Sequence, residues 1–453
     1  MSRKILLEMN HLQIVQKAAL CIFTAAALII AAPGEARTRH KTAQQKTEQK
    51  AEDKPAAGAA PADVQPAPAP LPPPGALNVP VPPAPTLNAK SWVLMDYATG
   101  QILAGDHVDD RVEPASITKV MTSYVVSAQL AAGKIKLDDD VFISENAWRG
   151  GGGGTDGSTT FLAVNSKVKV KDLLYGMIIQ SGNDAAIALA EHVAGSEQTF
   201  AALMNQYAAQ LGMTGTHYAN PHGLPAPDGY STARDIALLS RALIRDYPEE
   251  YKIYAIKEFE WNGITQHNRN TLLWRDASVD GIKTGHTKEA GFCLATSAKR
   301  GDQRLIAVVM GTSSDKERSD ANQAVLNYGF RFFETHKLYD ANKPLATPVL
   351  WKGAADTVAL GVADDVLVTI PRGRYNDLKA TIDMPSRLIA PFAKGQKVGA
   401  LKITLDGKAL LERPLVSIAD APEGGLWRRF YDGTALWFKG NATTETQAVP
   451  SKP

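Results

Sequence analysis

Residues 113–122 read EPASITKVMT, which sets a serine hydroxyl and a lysine amine three positions apart at the head of an otherwise apolar helical pattern. Three residues of an α-helix turn through roughly 300°, so Ser116 and Lys119 share one face and lie within reach of each other. A serine hydroxyl is a poor nucleophile until a base takes its proton. A lysine amine, with an unperturbed pKa of about 10.4, is mostly in the wrong form at neutral pH. Burial lowers that value by up to roughly 3–5 units, so a lysine on a core helix can serve as the base. The alternative is a lysine snorkelling from a core helix beside a serine that merely caps it.

The spacing alone is weak, because it recurs at Ser166/Lys169 and Ser313/Lys316, in polar stretches expected to be exposed. Two companion motifs add weight. SGN at 181–183 interrupts a helical run, where a glycine break can aim Ser181 and Asn183 outward, although SEN at 144–146 matches the same pattern. KTG at 283–285 occurs once, and its position predicts a place just before the first strand of a late hairpin. Small Thr284 and Gly285 would let a ligand backbone lie against a strand edge. Lys283, sharing the cleft, would act on Lys119 as a second cation and push its pKa the same way as burial.

These groups need elements to hold them. SWVLMDYATGQILAG (91–105) predicts two short strands around a Thr-Gly turn. Ile117, Val120, Met121, Tyr124, Val125 and Ala128 form a stripe of helical period ended by Gly133. Further helices are predicted from Asp172 through Ile178, over DAAIALAEHVAG, along Phe200 to Leu211, and over 231–245. GFCLATSA and RLIAVVMG around KRGD predict a hairpin. Strands first, helices between and a hairpin last suggest an α+β or α/β domain whose sheet unites both chain ends. From about residue 347, short alternating strands with an Asp406-Gly407 type I′ turn predict a small all-β domain.

At 453 residues the chain is long enough for about two to three domains. A formal net charge of +2 gives no polyanion signal and argues against nucleic acid as a partner. The apolar run 18–32, preceded by Arg3, Lys4 and Lys17, leads to Gly34 and Ala36 at the −3 and −1 positions of a cleavable signal peptide, 1–36. An uncleaved membrane helix is the alternative, but the run is short for a span. Residues 37–88 are rich in Ala, Pro, Lys and Gln and predict a disordered, semi-extended tether. Cleavage after Ala36 would remove Cys21 and leave Cys293 as one thiol in an apparent core strand. There is no HExxH or paired Cys/His pattern, and His217 and His222, five apart beside turn residues, do not suggest a metal site.

The trio Ser-x-x-Lys, Ser-x-Asn and Lys-Thr-Gly, in that order, is a signature of penicillin-binding proteins and class A β-lactamases. The segments EPASITKVMTSYVV, IIQSGNDAAIALAEHVAGS, VDGIKTGHTKEAGF and LNYGFRFFETH, and then VTIPRG and RPLV, make residues 90–440 resemble the D-alanyl-D-alanine carboxypeptidases, low-molecular-mass penicillin-binding proteins of bacterial envelopes. The resemblance implies a multidomain chain of α/β and all-β parts. A β-lactamase/transpeptidase-like catalytic domain at 89–346, with an antiparallel sheet, helices and a helical subdomain, precedes a β-sandwich-like domain at 347–421 and an amphipathic helix at 424–440. A polar tail, 441–453, follows.

By the same resemblance Ser116 is the acylated nucleophile, Lys119 its base, and Ser181 the relay of a proton to the departing D-alanine. Asn183 holds the peptide, Lys283 and Thr284 of the KTG motif face the substrate carboxylate beside Gly285, and the N–H groups of Ser116 and His286 form an oxyanion hole. Arg269 and Arg318 match arginines near the family's cleft, the alternative being an exposed arginine or a structural ion pair. The implied partners are peptidoglycan stem peptides, with β-lactam antibiotics as inhibitors; no cofactor is implied. The glycine run RGGGGGTDG at 149–157 departs from the family's cleft-flanking loop.

In GGLWRRFYDGTALWFKG (424–440), Leu426, Trp427, Phe430, Tyr431, Thr434, Trp437 and Phe438 fall on one helical face and Arg428, Arg429, Asp432 and Lys439 on the other. Such a helix is expected to lie on a membrane surface rather than span it; docking of the stripe on the β domain is the alternative. The expected location is therefore the periplasmic face of the cytoplasmic membrane, reached by export and held peripherally. A β-lactamase is disfavoured because it has no use for a membrane-surface helix and a β domain, and a vestigial wall-binding scaffold because all three motifs are intact.

Overall fold

The computed structural model describes residues 81–150, 157–438 and 443–450. The expected signal peptide, the tether up to residue 80 and the glycines at 151–156 lie outside the described residues.

Strands β1 (Ser91–Asp96) and β2 (Ile102–Asp106) form the expected hairpin. They join β3 (Val279–Thr287), β4 (Gly291–Arg300) and β5 (Gln303–Thr312) in one antiparallel sheet of order β2-β1-β5-β4-β3. All six residues of β1 are buried, because the sheet is covered on both faces. Alternation along the strand divides them: Val93 and Met95 enter one core with Ile306 and Val308. Trp92 and Leu94 enter another with Leu305, Ala307 and Phe330. KTG lies just ahead of the β4–β5 hairpin, as its position suggested, and is itself part of a strand, the edge strand β3.

Five helices of at least twelve residues serve this sheet among the described residues: α1 (Lys119–Ala131), α2 (Asn183–Ala194), α3 (Glu197–Gln210), α4 (Ala233–Asp246) and α5 (Asp315–Phe332). The expected one-sided stripe on α1 is an understatement, since eleven of its thirteen residues are buried. Such a helix is central, and Lys119 at its start is held in the interior. Ser196, Thr232 and Ser314 accept backbone N–H groups at the starts of α3, α4 and α5, which fixes where those helices begin.

The second domain starts earlier than residue 347. Helix α5 ends at Phe332 and the chain continues directly as β6 (Phe333–Tyr339), which pairs with β8 (Val366–Pro371); β7 (Leu360–Gly361) lies between them in sequence. Strands β9 (Leu378–Pro385), β10 (Lys397–Leu405), β11 (Lys408–Ser417) and β12 (Thr444–Val449) complete a five-stranded sheet, order β7-β11-β10-β9-β12. Leu338, Val368 and Ile370 of the β6–β8 pair share one core with Ile382, Leu401 and Leu415 of that sheet. Positive φ at Asp406 (51°) and Gly407 (76°) matches the expected hairpin turn. The two domains touch where Thr335 donates to Asp96 Oδ2 at 2.6 Å and Thr99 meets Thr369, hydroxyl to hydroxyl, at 2.9 Å.

Two polar stretches make contacts that composition did not imply, 82–88 and 444–449. Tyr328 donates to the Pro82 carbonyl, Asn88 Nδ2 donates to Glu317, and Ala84 and Leu87 pack on the core beneath α5, so residues 82–88 belong to the catalytic domain and not to a tether. The polar tail supplies β12, an edge strand paired to β9 through six residues. Between β11 and β12 runs α6 (Leu426–Phe438), whose polar side is latched to the β domain. Asp432 accepts the Lys352 N–H at 2.6 Å, and Arg428 and Arg429 pair with Asp356 and Glu423. Leu426, Trp427, Phe430, Tyr431 and Trp437 are 70% to 87% exposed, so the aromatic stripe faces away from the domain. The Phe438 side chain and Lys439 lie outside the described residues. Among the described residues no helix is long and apolar enough to cross a membrane.

Candidate active site

Ser116 sits in a single 3₁₀ turn, Ala115–Thr118, that feeds α1. Ala115 adopts φ +47°, a left-handed conformation that costs a residue with a side chain on the order of 1–3 kcal/mol. Two glycines let neighbouring chains close on this turn. A Cβ on Gly223 would stand 1.9 Å from the Ala115 carbonyl oxygen, and one on Gly285 would stand 2.9 Å from that of Pro114. Gly285 does line the cleft, but the absence of its side chain is first required by the nucleophile turn and only then by any ligand.

Lys119 is 1% exposed. Its Nζ lies 2.9 Å from Ser116 Oγ, 2.7 Å from Asn183 Oδ1 and 2.7 Å from the His222 carbonyl oxygen. Burial above all, and then the positive field of Arg269, lower its pKa to about 7, against an opposing pull from Asp184. Arg269 is thus a further cation acting on Lys119, beside the mutual repulsion between Lys119 and Lys283 that their shared cleft suggests.

Ser181 and Asn183 reach the cleft from a broken helix. The helical run passes through a π turn, Gly176–Gln180, and stops at Ser181, which takes φ +70°. Such turns are common at functional sites because they rotate side chains out of register. Asn183 then starts α2. Gly182 is obligatory, since a Cβ there would come within 2.0 Å of Thr160 Oγ1. Asp184 ties this junction to the segment below it: its carboxylate accepts the Thr159 hydroxyl at 2.9 Å, the Thr160 N–H at 2.9 Å and the Leu162 N–H at 3.1 Å. Sequence reading missed Asp184, although an acidic residue one position after SGN at a helix start is a visible signal.

The cleft between these elements and β3 has a volume of about 440 Å³. Ser116, Ser181, Asn183, Thr284, Gly285 and His286 line it, with Arg269 and Arg318 among the remaining walls. The exposed His286 ring packs tilted against Phe292 with centroids 4.0 Å apart. Lys283 is buried beside the cleft, donating to the Thr284 carbonyl at 3.3 Å. Burial, then the charges of Lys119, Arg269 and Arg318, hold its pKa well below the usual lysine value. Arg318 is buried too: it pairs with Asp315 and donates to the Gly285 carbonyl at 3.2 Å, while its Nε has no partner among the described residues. Its role is thus partly the structural ion pair weighed as the alternative. Arg269 and Arg318 bring positive charge, the two lysines favour their charged forms once an anion is near, and the carboxylates of Asp184 and Asp315 are already engaged, so the site suits an anionic ligand.

The other matches to the motifs are structural. Ser166 donates to the Ala163 carbonyl while Lys169 pairs with Asp140, and Ser313 bonds Glu317 while Lys316 pairs with Asp320. In SEN, Ser144 accepts the Ala147 N–H and donates to Glu191. Among the described residues no cluster of His, Cys, Asp and Glu could hold a metal ion. Cys293 is a buried core thiol, its pKa raised to about 11 by burial. His222, unlike the exposed His217, belongs to the site through its carbonyl, which spacing between histidines could not reveal.

A family model described as D-alanyl-D-alanine carboxypeptidase matches residues 78–314, and one described as penicillin-binding protein 5, C-terminal domain, matches 333–423. The chain is 47% identical over 358 residues to D-alanyl-D-alanine carboxypeptidase DacC of Escherichia coli (strain K12), covering 78% of this chain and 90% of that one. The crystal structure of penicillin-binding protein 5 from Haemophilus influenzae matches with a TM-score of 0.73 at 44% identity, over 75% of this chain and 99% of the other. Penicillin-binding protein D2 from Listeria monocytogenes, in its ampicillin-bound form, matches with a TM-score of 0.50 at 26% identity, over 55% of this chain and 100% of the other.

Proposed function

The chain belongs to the D-alanyl-D-alanine carboxypeptidase family, and from that premise we propose how its residues remove the terminal D-alanine from peptidoglycan pentapeptides. The observation that carries the reading is the set of neighbours around Lys119 Nζ. A neutral amine has two N–H donors and one lone pair. The His222 carbonyl can only accept, and the Asn183 oxygen facing the amine likewise. Both N–H groups are thereby taken, and the lone pair is left facing the one neighbour with a proton to give, Ser116. A pKa of about 7 makes that neutral form abundant at working pH.

Lys119 takes the Ser116 proton as Oγ bonds to the carbonyl carbon preceding the terminal D-alanine. The N–H groups of Ser116 and His286 take the developing oxyanion. When the C–N bond breaks, the proton returns to the leaving amine by way of Ser181. Water then cleaves the ester, releasing the shortened peptide and restoring Ser116. Asn183 holds the peptide backbone, while Thr284 with Lys283, Arg269 and Arg318 receives the substrate carboxylate. A β-lactam meets the same attack, but its leaving nitrogen stays tethered by the opened ring, so the acyl-enzyme persists.

The amphipathic α6, with its polar side already latched to the β domain, supports attachment to a membrane surface through the aromatic stripe. Export by the N-terminal segment would place the enzyme at the periplasmic face, where its substrate lies. Release of D-alanine from a pentapeptide by the wild type, abolished in Ser116→Ala, tests the central reading. A wild type that binds peptidoglycan and releases no D-alanine would identify a scaffold instead.

A further inference from the structure

The acceptor that Lys119 finds in the His222 carbonyl is built by its surroundings. Asn220 Oδ1 accepts the Gly223 N–H at 2.6 Å, and Thr122 donates to the Pro221 carbonyl at 2.6 Å. The His222 ring adds a third fixation. Its Nδ1 accepts the Leu224 N–H at 3.1 Å, so the ring proton sits on Nε2, which lies 3.2 Å from Glu197 Oε2. Glu197 opens α3, and its other oxygen accepts from Asn146 Nδ2 at 3.0 Å. The ring and the carboxylate are both largely withdrawn from solvent, at 11% and 26% exposure.

We propose that Glu197 is a positioning residue for the acylation step, acting through the His222 ring to hold the His222 carbonyl on Lys119 Nζ. The inference rests on the Ser116/Lys119 reading above. Burial first, and then Lys119, lower the pKa of His222 despite Glu197, so the ring is neutral and contributes orientation, not charge. Without Glu197 the ring loses its anchor and the carbonyl drifts from the amine. A backbone carbonyl favours the ammonium over the amine, so its loss lowers the pKa of Lys119 further. The neutral amine meanwhile loses the constraint that aims its lone pair. The charged groups that otherwise act on Lys119 are Arg269, Asp184 and Lys283, and Glu197 acts on His222; none of the first three touches the His222–Glu197 pair.

The test is the pH profile of acylation by a fluorescent penicillin in the full chain carrying Glu197→Ala, Glu197→Gln or Ser116→Ala. Glu197→Ala is expected to lower the plateau rate about ten- to a hundredfold, the scale of a small misplacement in a reacting pair, and to move the rising limb to lower pH. The isosteric Glu197→Gln, which still offers an oxygen to Nε2–H, is expected to restore a rate close to wild type. A wild-type profile for Glu197→Ala overturns the proposal. So does a limb displaced upward, which reports water entering a loosened site, or a glutamine variant as slow as the alanine. Ser116→Ala separates the two readings: labelling that survives it sinks the nucleophile assignment, whereas a silent Ser116→Ala beside a wild-type Glu197→Ala sinks only the role of Glu197.

Discussion

Lys119 and Lys283 show how two buried amines in one site are given different tasks by what surrounds each nitrogen. Lys119 has three oxygen neighbours and a pKa near 7, so its proton is lost within the physiological range. Because the amine is the active form, acylation should rise with pH through a group titrating near 7. Lys119→Arg, which stays protonated, should cost about 10²–10⁴ in rate, the usual worth of a general base. Stopped-flow acylation across pH checks both. Lys283 has a single carbonyl partner among the described residues and stands among cations, which disfavour its charge. A bound carboxylate reverses that balance by favouring the ammonium. Binding of a carboxylate-bearing, unreactive peptide analogue at neutral pH should therefore take up protons, and Lys283→Met should reduce the uptake to the share that Lys119 supplies. Calorimetry in buffers of different ionisation enthalpy reads this directly.

The elements matter because each catalytic group sits at a discontinuity that a neighbour must permit. Ser116 follows a left-handed alanine, Ser181 is itself left-handed at the end of a π turn, and Thr284 lies on an edge strand pressed against the nucleophile turn. Gly223 combines φ +84° with a position where a Cβ would overlap the Ala115 carbonyl. Gly223→Ala should accordingly displace that turn, lowering stability by about 1–3 kcal/mol and penicillin acylation by more than the stability loss explains. Urea denaturation and labelling of the residual folded protein separate the two effects. Gly433, on α6, has nothing nearer to its Cβ position than Lys352 Cε at 3.8 Å, so Gly433→Ala should be neutral or slightly stabilising by helix propensity.

At the scale of the molecule, the β domain stands between the catalytic sheet and the exposed stripe of α6. Truncation at Ala421 would remove the stripe, but it would also remove β12 and leave the edge of β9 unpaired. Substitutions on the outward face make the cleaner experiment. Trp427→Ser together with Phe430→Ser removes two bulky side chains, each worth roughly 1.5–3 kcal/mol when fully buried, of which partial immersion realises only a share. The doubly substituted protein should leave anionic vesicles in a flotation assay, while releasing D-alanine from small soluble peptides at the wild-type rate. Flotation unchanged by the substitutions would exclude the stripe as the anchor.

Short-range rules determined much of this protein from sequence. Ser116 and Lys119 share a face because helix pitch requires it, the Asp406-Gly407 turn follows from backbone sterics, and the aromatic stripe of α6, though not the side it faces, follows from helical period. What lay beyond sequence were properties that depend on contacts between distant segments. Lys169 and Lys316 repeat the spacing of Lys119, yet only Lys119 is enclosed, because α1 alone of those three settings is surrounded by other helices and the sheet. The boundary at Phe333 was hidden because α5 passes into β6 without a linker, and β12 because its polar residues are recruited by an open edge, not by burial. Arg269 adds to the nearby motif lysine in acting on Lys119, and a histidine valued for its ring supplies a carbonyl. A charge is felt through distance and dielectric, and a hydrogen bond through position, and both are set only when the chain has closed around them.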